Sequence, residues 1–133
     1  MGDIKISSTS FEYEGNNMIM RLSVLIETVH YINEVGIHST FNKWKDVNYF
    51  KGYYVKFISD NIHEWFIDVS LNKPLLNDDD IYSYCQIEFA IYYKNRSGDI
   101  VWNNNNNANF KINICKYIEE NEIFIRQRKI HFE

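Results

Sequence analysis

The stretch from Gln86 to Cys115, QIEFAIYYKNRSGDIVWNNNNNANFKINIC, decides the architecture. Its opening, QIEFAIYY, puts Ile87, Phe89 and Ile91 at every second position, the period that a strand with one buried face requires. NRSGD then supplies turn chemistry, with Gly98 able to take a positive φ, and leads into Ile100–Trp102 as the returning strand of a hairpin. The loop NNNNNAN separates that strand from a last one at Phe110–Cys115. Short strands joined by polar turns are the pattern of a sandwich or barrel, not of a helical or alternating fold.

Working outward, the same pattern recurs. Met18–Val29 alternates imperfectly, Glu34–Phe41 follows a short polar break at Tyr31–Asn33, and Tyr53–Ile58 and Glu64–Leu71 flank SDNIH as a turn. About seven strands at hairpin spacing predict an all-β chain, an immunoglobulin-like antiparallel β-sandwich of seven to eight strands. Residues 1–15 read as a lead-in, 16–115 as the folded module and 116–133 as a C-terminal strand or tail. LNKPLLNDDDIYSY, from Leu71, carries the only proline and reads as a long inter-sheet connection. In KYIEENEIFIRQRKIHFE, from Lys116, periodicity leaves strand, short helix and tail open.

At 133 residues the chain is long enough to bury one core without metals or disulfides. A formal net charge of -4 offers no basic field for nucleic acid or anionic lipid. The start MGDIKISSTS lacks the apolar core of a signal peptide, and no stretch is apolar for the roughly 18 residues of a membrane span. A soluble, cytoplasmic protein is the expectation. Cys85 and Cys115 are expected to be two buried free thiols, since two cysteines make neither a disulfide framework nor a zinc site alone.

Catalytic machinery is hard to find. There is no G-x-S-x-G elbow, no H-E-x-x-H, no phosphate loop and no EF-hand spacing. His30, His38, His63 and His131 are scattered, Asp78–Asp80 reads as a solvated loop, and Glu64 and Glu88 are candidate glycosidase carboxylates by type only. No enzyme activity, metal or cofactor is expected. What stands out is aromatic content, at 17% of residues. A neutral polysaccharide offers no charge to grip, so its site needs flat rings for apolar sugar faces and amides for paired hydroxyls. Trp102 followed by five asparagines has that composition. On residues alone a second account stands beside it: Trp102 plugs the sandwich end and the asparagines only form turns.

The segment EFAIYYKNRSGDIVWNNNNNANFKI, Glu88–Ile112, resembles the C-terminal half of family 21 carbohydrate-binding modules, which pattern E-F-A-I-x-Y, a hairpin, an aromatic, D-N-N, a spacer and N-Y/F. That family includes the starch-binding domain of fungal glucoamylase and glycogen-targeting regulatory subunits of protein phosphatase 1. VHYINEVGIHSTFNKWKD, Val29–Asp46, resembles the family's upstream strand pair ending in a F-x-x-W turn, here Phe41–Trp44. The resemblance implies an immunoglobulin-like sandwich that binds α-glucan, as polysaccharide or maltooligosaccharide, without catalysis. It matches Trp44 and Trp102 to two aromatics of a first glucan site, Asn104 and Asn106 to its sugar-bonding amides, and Asn109 to the motif's last asparagine, expected to pin the loop. Tyr31 matches an aromatic of a second site, with Tyr53, or Tyr54 beside it, as its partner. Asn103 replaces the usual aspartate, and Ala90 stands where fungal modules add a third ring, as in the phosphatase-targeting branch. The alternative implied by that branch is a regulatory adaptor whose partner is a phosphatase catalytic subunit. Lys129, Ile130, His131 and Phe132 fit the basic, valine or isoleucine, any, phenylalanine docking pattern, with Arg126 and Arg128 before it.

Overall fold

The computed structural model describes residues 3–15, 17–71 and 86–114. Eight strands follow in order: β1 (Asp3–Glu14), β2 (Asn17–Glu27), β3 (Ile32–Thr40), β4 (Asn48–Ser59), β5 (Ile62–Ser70), β6 (Gln86–Asn95), β7 (Ile100–Asn103) and β8 (Phe110–Asn113). All pairings are antiparallel. One layer runs β1-β2-β5-β4 and the other β4-β3-β6-β7, with β8 pairing Gln86–Phe89 of β6 and β7 pairing Ile91–Lys94. The fold is the expected β-sandwich.

Strand β4 belongs to both layers and closes the curl. Its first residues, Asn48–Lys51, pair with β3, and from Gly52 onward it pairs with β5. A side chain at Gly52 would meet the Phe66 carbonyl at 2.8 Å, so glycine permits the crossing. Gly36, opposite Lys51, leaves the space that the Tyr92 hydroxyl occupies.

The core lies between the layers. Period-two alternation sends Met18, Met20, Leu22, Val24 and Ile26 of β2 inward to meet Ile87, Phe89, Ile91 and Tyr93 of β6, with Val35 and Ile37 of β3 between. At about 25 cal/mol per Å² of apolar surface removed from water, this continuous cluster is the main stabilising contribution.

Residues 3–14, expected as part of a lead-in, instead form a full strand paired along β2 from Asp3↔Glu27 to Glu14↔Asn17. Among the described residues β1 lies at the edge of its layer, and its apolar pattern is weak: Ile4 is buried and Ile6 and Phe11 are partly so, but Ser7–Ser10 interrupt the alternation. Strand β4 is likewise longer than Tyr53–Ile58, because its half in the second layer carries mixed residues. Cys85, Cys115, most of the proline-containing connection, the Asp78–Asp80 triplet, His131 and the C-terminal segment with Lys129–Phe132 lie outside the described residues.

Candidate carbohydrate-binding site

Trp44 sits in the turn between β3 and β4, which Thr40 organises. The Thr40 hydroxyl donates to the Asp46 carbonyl (2.7 Å) and accepts from the backbone N–H of Asn42 (3.2 Å) and Trp44 (2.9 Å). The Asn42 side chain bonds Asp46 twice, accepting from its backbone N–H (2.9 Å) and donating to its carboxylate (2.8 Å). These bonds hold Lys43 and Trp44 at φ of 58° and 67°, a left-handed conformation that costs a bulky residue roughly 1–2 kcal/mol. The indole lies on the outer surface of the β3-β6 layer, where its N–H reaches Glu88 of β6 and Trp44 remains 38% exposed.

Trp102 reaches the same outer surface from β7, paired with Tyr92 of β6. Its ring, 44% exposed, leans on Tyr92 (centroids 5.1 Å apart) and on the edge of His38 (4.8 Å). His38 also meets Tyr49 at 4.6 Å and Tyr92 at 5.3 Å, and it is the cross-strand partner of Ala90. The position without a stacking ring is thus bordered by an imidazole from the next strand. Burial among these rings lowers the His38 pKa, so its neutral form is favoured. Tyr92 donates to Glu34 at 2.6 Å; burial, then this carboxylate, push the phenol up to about 12. The same bond holds Glu34 below the usual carboxylate value, helped by Lys51 at 3.2 Å.

The loop after Trp102 explains its own composition. Asn105, Asn106 and Asn107 are all left-handed, at φ of 52°, 56° and 70°, and Asn109 follows at 57°. Asparagine is the non-glycine residue that best accepts this region. The turn is closed by backbone bonds from Ala108 N–H to the Asn105 carbonyl (3.1 Å) and from Asn109 N–H to the Asn104 carbonyl (2.7 Å). Asn103 donates its amide to the Ile4 carbonyl at 2.7 Å and accepts from the Asn105 N–H at 2.9 Å. An aspartate there would lack the donor, which is why an amide suits this chain. Asn104 exchanges bonds of 3.0 Å with the side chain and backbone of Asn107. Asn109 donates to Glu88 at 2.9 Å, tying the loop to β6. The Asn106 side chain makes no hydrogen bond with another described residue and is exposed.

Both accounts of the asparagine run therefore have geometric content: the residues make the turn, and the turn leaves the Asn106 amide exposed in the loop that follows Trp102. Sequence reasoning passed over Glu88 as a structural group. Its Oε2 accepts from Trp44 Nε1 at 2.7 Å and from Asn109 Nδ2 at 2.9 Å. Those two bonds hold its pKa below the ordinary range, the wrong direction for a general acid. Glu64, on the other layer, accepts from Ser23 at 2.6 Å, so the two carboxylates do not form a facing pair.

A second aromatic region lies at one end of the sandwich. Tyr31, 70% exposed, borders a concavity of about 440 Å³ with His30, Ile32, Tyr54, His63 and Trp65. Tyr54 contacts His63 through its hydroxyl at 3.1 Å and Trp65 edge-on at 5.6 Å. Tyr53, next in the chain, points to the opposite face of its strand and donates to Asp68 at 3.1 Å, beside Phe66 and Arg21. The structure brings Tyr31 together with Tyr54 and leaves Tyr53 apart. The Trp65 indole N–H is buried without a partner among the described residues.

Residues 3–113 match the model of the carbohydrate/starch-binding module, family 21, and the chain belongs to that family of non-catalytic binding modules. Among solved structures it is similar to the carbohydrate-binding module of the muscle glycogen-targeting subunit of Protein Phosphatase-1. That likeness has a TM-score of 0.60 and 21% identity over 83% of this chain and 74% of the other. OgpA from Akkermansia muciniphila matches more distantly, with a TM-score of 0.46 and 7% identity over 84% of this chain and 27% of the other. No curated protein sequence matches the chain.

Proposed function

We propose that the chain binds α-glucan, glycogen or starch, without catalysis, and that Trp44 and Trp102 supply the stacking rings of its main site. The observation that carries this is the pair of exposed indoles on one outer face, each fixed by its own hydrogen-bonded or ring-packed support. Asn104 and Asn109 shape the adjoining loop, and Asn106 offers the amide to sugar hydroxyls. Curved α-1,4 chains present successive rings at an angle, which two separately mounted indoles suit better than a flat strip would. Tyr31 with Tyr54 forms a second, weaker contact for longer chains. Pure protein should co-sediment with glycogen and amylose and release no reducing ends. Equal retention on cellulose would overturn the α-glucan assignment.

The adaptor role is the second reading, favoured by the likeness to a glycogen-targeting subunit and by the Lys129–Phe132 pattern. Such an adaptor would work where cytoplasmic glycogen and phosphatase meet. Capture of a protein phosphatase 1 catalytic subunit, abolished by Ile130→Ala with Phe132→Ala, is the expected result. Capture that ignores both substitutions would overturn it.

A further inference from the structure

Trp44 and the asparagine loop come from opposite sides of the β3-β6 layer: one from the β3–β4 turn, the other from the β7–β8 connection. Neither backbone bonds the other among the described residues. They meet at one atom, Glu88 Oε2, which receives the indole N–H of Trp44 at 2.7 Å and the amide of Asn109 at 2.9 Å. We propose that Glu88 is a positioning residue that clasps the two loops, setting the Trp44 ring and the asparagine amides at the spacing one glucan chain needs. This rests on the glucan site proposed above.

Three features support the clasp. Trp44 has its left-handed backbone pinned at one end by Thr40, and the bond to Glu88 pins the far edge of its ring. The bond also consumes the only polar group of the indole, so the ring meets sugar through its faces and does not compete for hydroxyls. Finally, Glu88 projects outward between Thr40 of β3 and Lys111 of β8, its cross-strand partners. It is therefore mounted on a strand flanked on both sides rather than on either loop, a fixed post between the two.

Two variants separate the clasp from general stability. Glu88→Gln keeps an acceptor oxygen; Glu88→Leu keeps the bulk and removes the acceptor. With maltoheptaose as the probe, Glu88→Leu should lose about tenfold in affinity, the equivalent of 1.4 kcal/mol, while Glu88→Gln stays within about twofold of the parent. The indole N–H resonance of Trp44, identified by its loss in Trp44→Phe, should be downfield and slow to exchange in the parent and in Glu88→Gln. In Glu88→Leu it should move upfield and exchange quickly. Trp102→Ala is the control for the site itself. If Trp102→Ala loses maltoheptaose and Glu88→Leu keeps both affinity and the Trp44 signal, the clasp alone is wrong. If Trp102→Ala binds as the parent does, the glucan site is wrong and the clasp falls with it. Should Glu88→Leu not fold, Asn109→Gly, which accepts the left-handed φ and removes the amide donor, would overturn the proposal by binding maltoheptaose as the parent does.

Discussion

The two aromatic regions differ in how they are held. On the outer face of the β3-β6 layer, Trp44 stands on the β3–β4 turn and Trp102 on β7 just before the asparagine loop, and side-chain hydrogen bonds through Thr40, Asn42, Glu88, Asn103 and Asn109 wire the turn and the loop. At the end of the sandwich, Tyr31, Tyr54, His63 and Trp65 line a concavity of about 440 Å³ shaped mainly by ring packing. The first is preorganised by its hydrogen bonds, so little ordering cost accompanies binding; the second is concave and lined mainly by rings. Affinity for a short glucan should therefore reside in the first region, and preference for polymer in both.

The largest effect tests the first half of that contrast. Trp44→Ala and Trp102→Ala should each weaken maltoheptaose binding about 5- to 150-fold, as expected for one stacked ring, without unfolding the protein. Isothermal titration and circular dichroism check the two halves of this statement. Unfolding of either variant would make its indole a core element and shift the comparison.

A smaller effect sharpens the second half. Tyr31→Ala and Tyr54→Ala should reduce glycogen affinity several-fold by removing the gain of two-point attachment, and Tyr53→Ala should leave it unchanged. A sensitive Tyr53 with an insensitive Tyr54 would reverse the pairing of Tyr31.

Acidification discriminates the supports themselves. His38 has a lowered pKa from burial, so below 6.5 the unfolded chain takes up a proton that the folded chain resists. Stability should fall as pH drops below 6.5, until the lower folded value is passed. Glu88 works in a lower window: its depressed pKa contributes stability above 4.5 that is lost as pH falls through the folded value. Thermal midpoints across pH should show the first decline reduced in His38→Gln and the second reduced in Glu88→Gln.

The smallest differences are expected in the asparagine loop. Asn106→Ala should cost a few-fold in sugar affinity, about one net hydrogen bond, with stability little changed. Asn105→Gly should be nearly neutral, whereas Asn105→Val should destabilise by roughly 1–2 kcal/mol because valine resists the left-handed region. Equal tolerance of glycine and valine in chemical denaturation would show that the loop does not need its left-handed turn.

Much of this was legible in the chain. The alternation in QIEFAIYY and the turn residues of NRSGD point to the observed elements, because strand period and turn chemistry are local properties, whereas Trp44 was marked only by the family resemblance. Strand β1 was harder to see, since an edge strand buries little and its serines blur the pattern. Tyr53 and Tyr54 could not be told apart for a different reason: adjacent strand residues face opposite ways, and only pairing with Phe66 and Trp65 decides which one turns toward Tyr31.

Composition and local pattern alone thus determined an all-β module rich in aromatics with an amide-rich loop. Only the tertiary structure decided that β4 joins both layers, that three consecutive asparagines adopt a left-handed turn, and that Glu88 joins the Trp44 turn to the loop beyond Trp102. Glu88 and Trp44 are 44 residues apart, and no local rule couples positions at that separation. Their contact exists because β3 and β6 pair in one register, which the buried faces of both strands select.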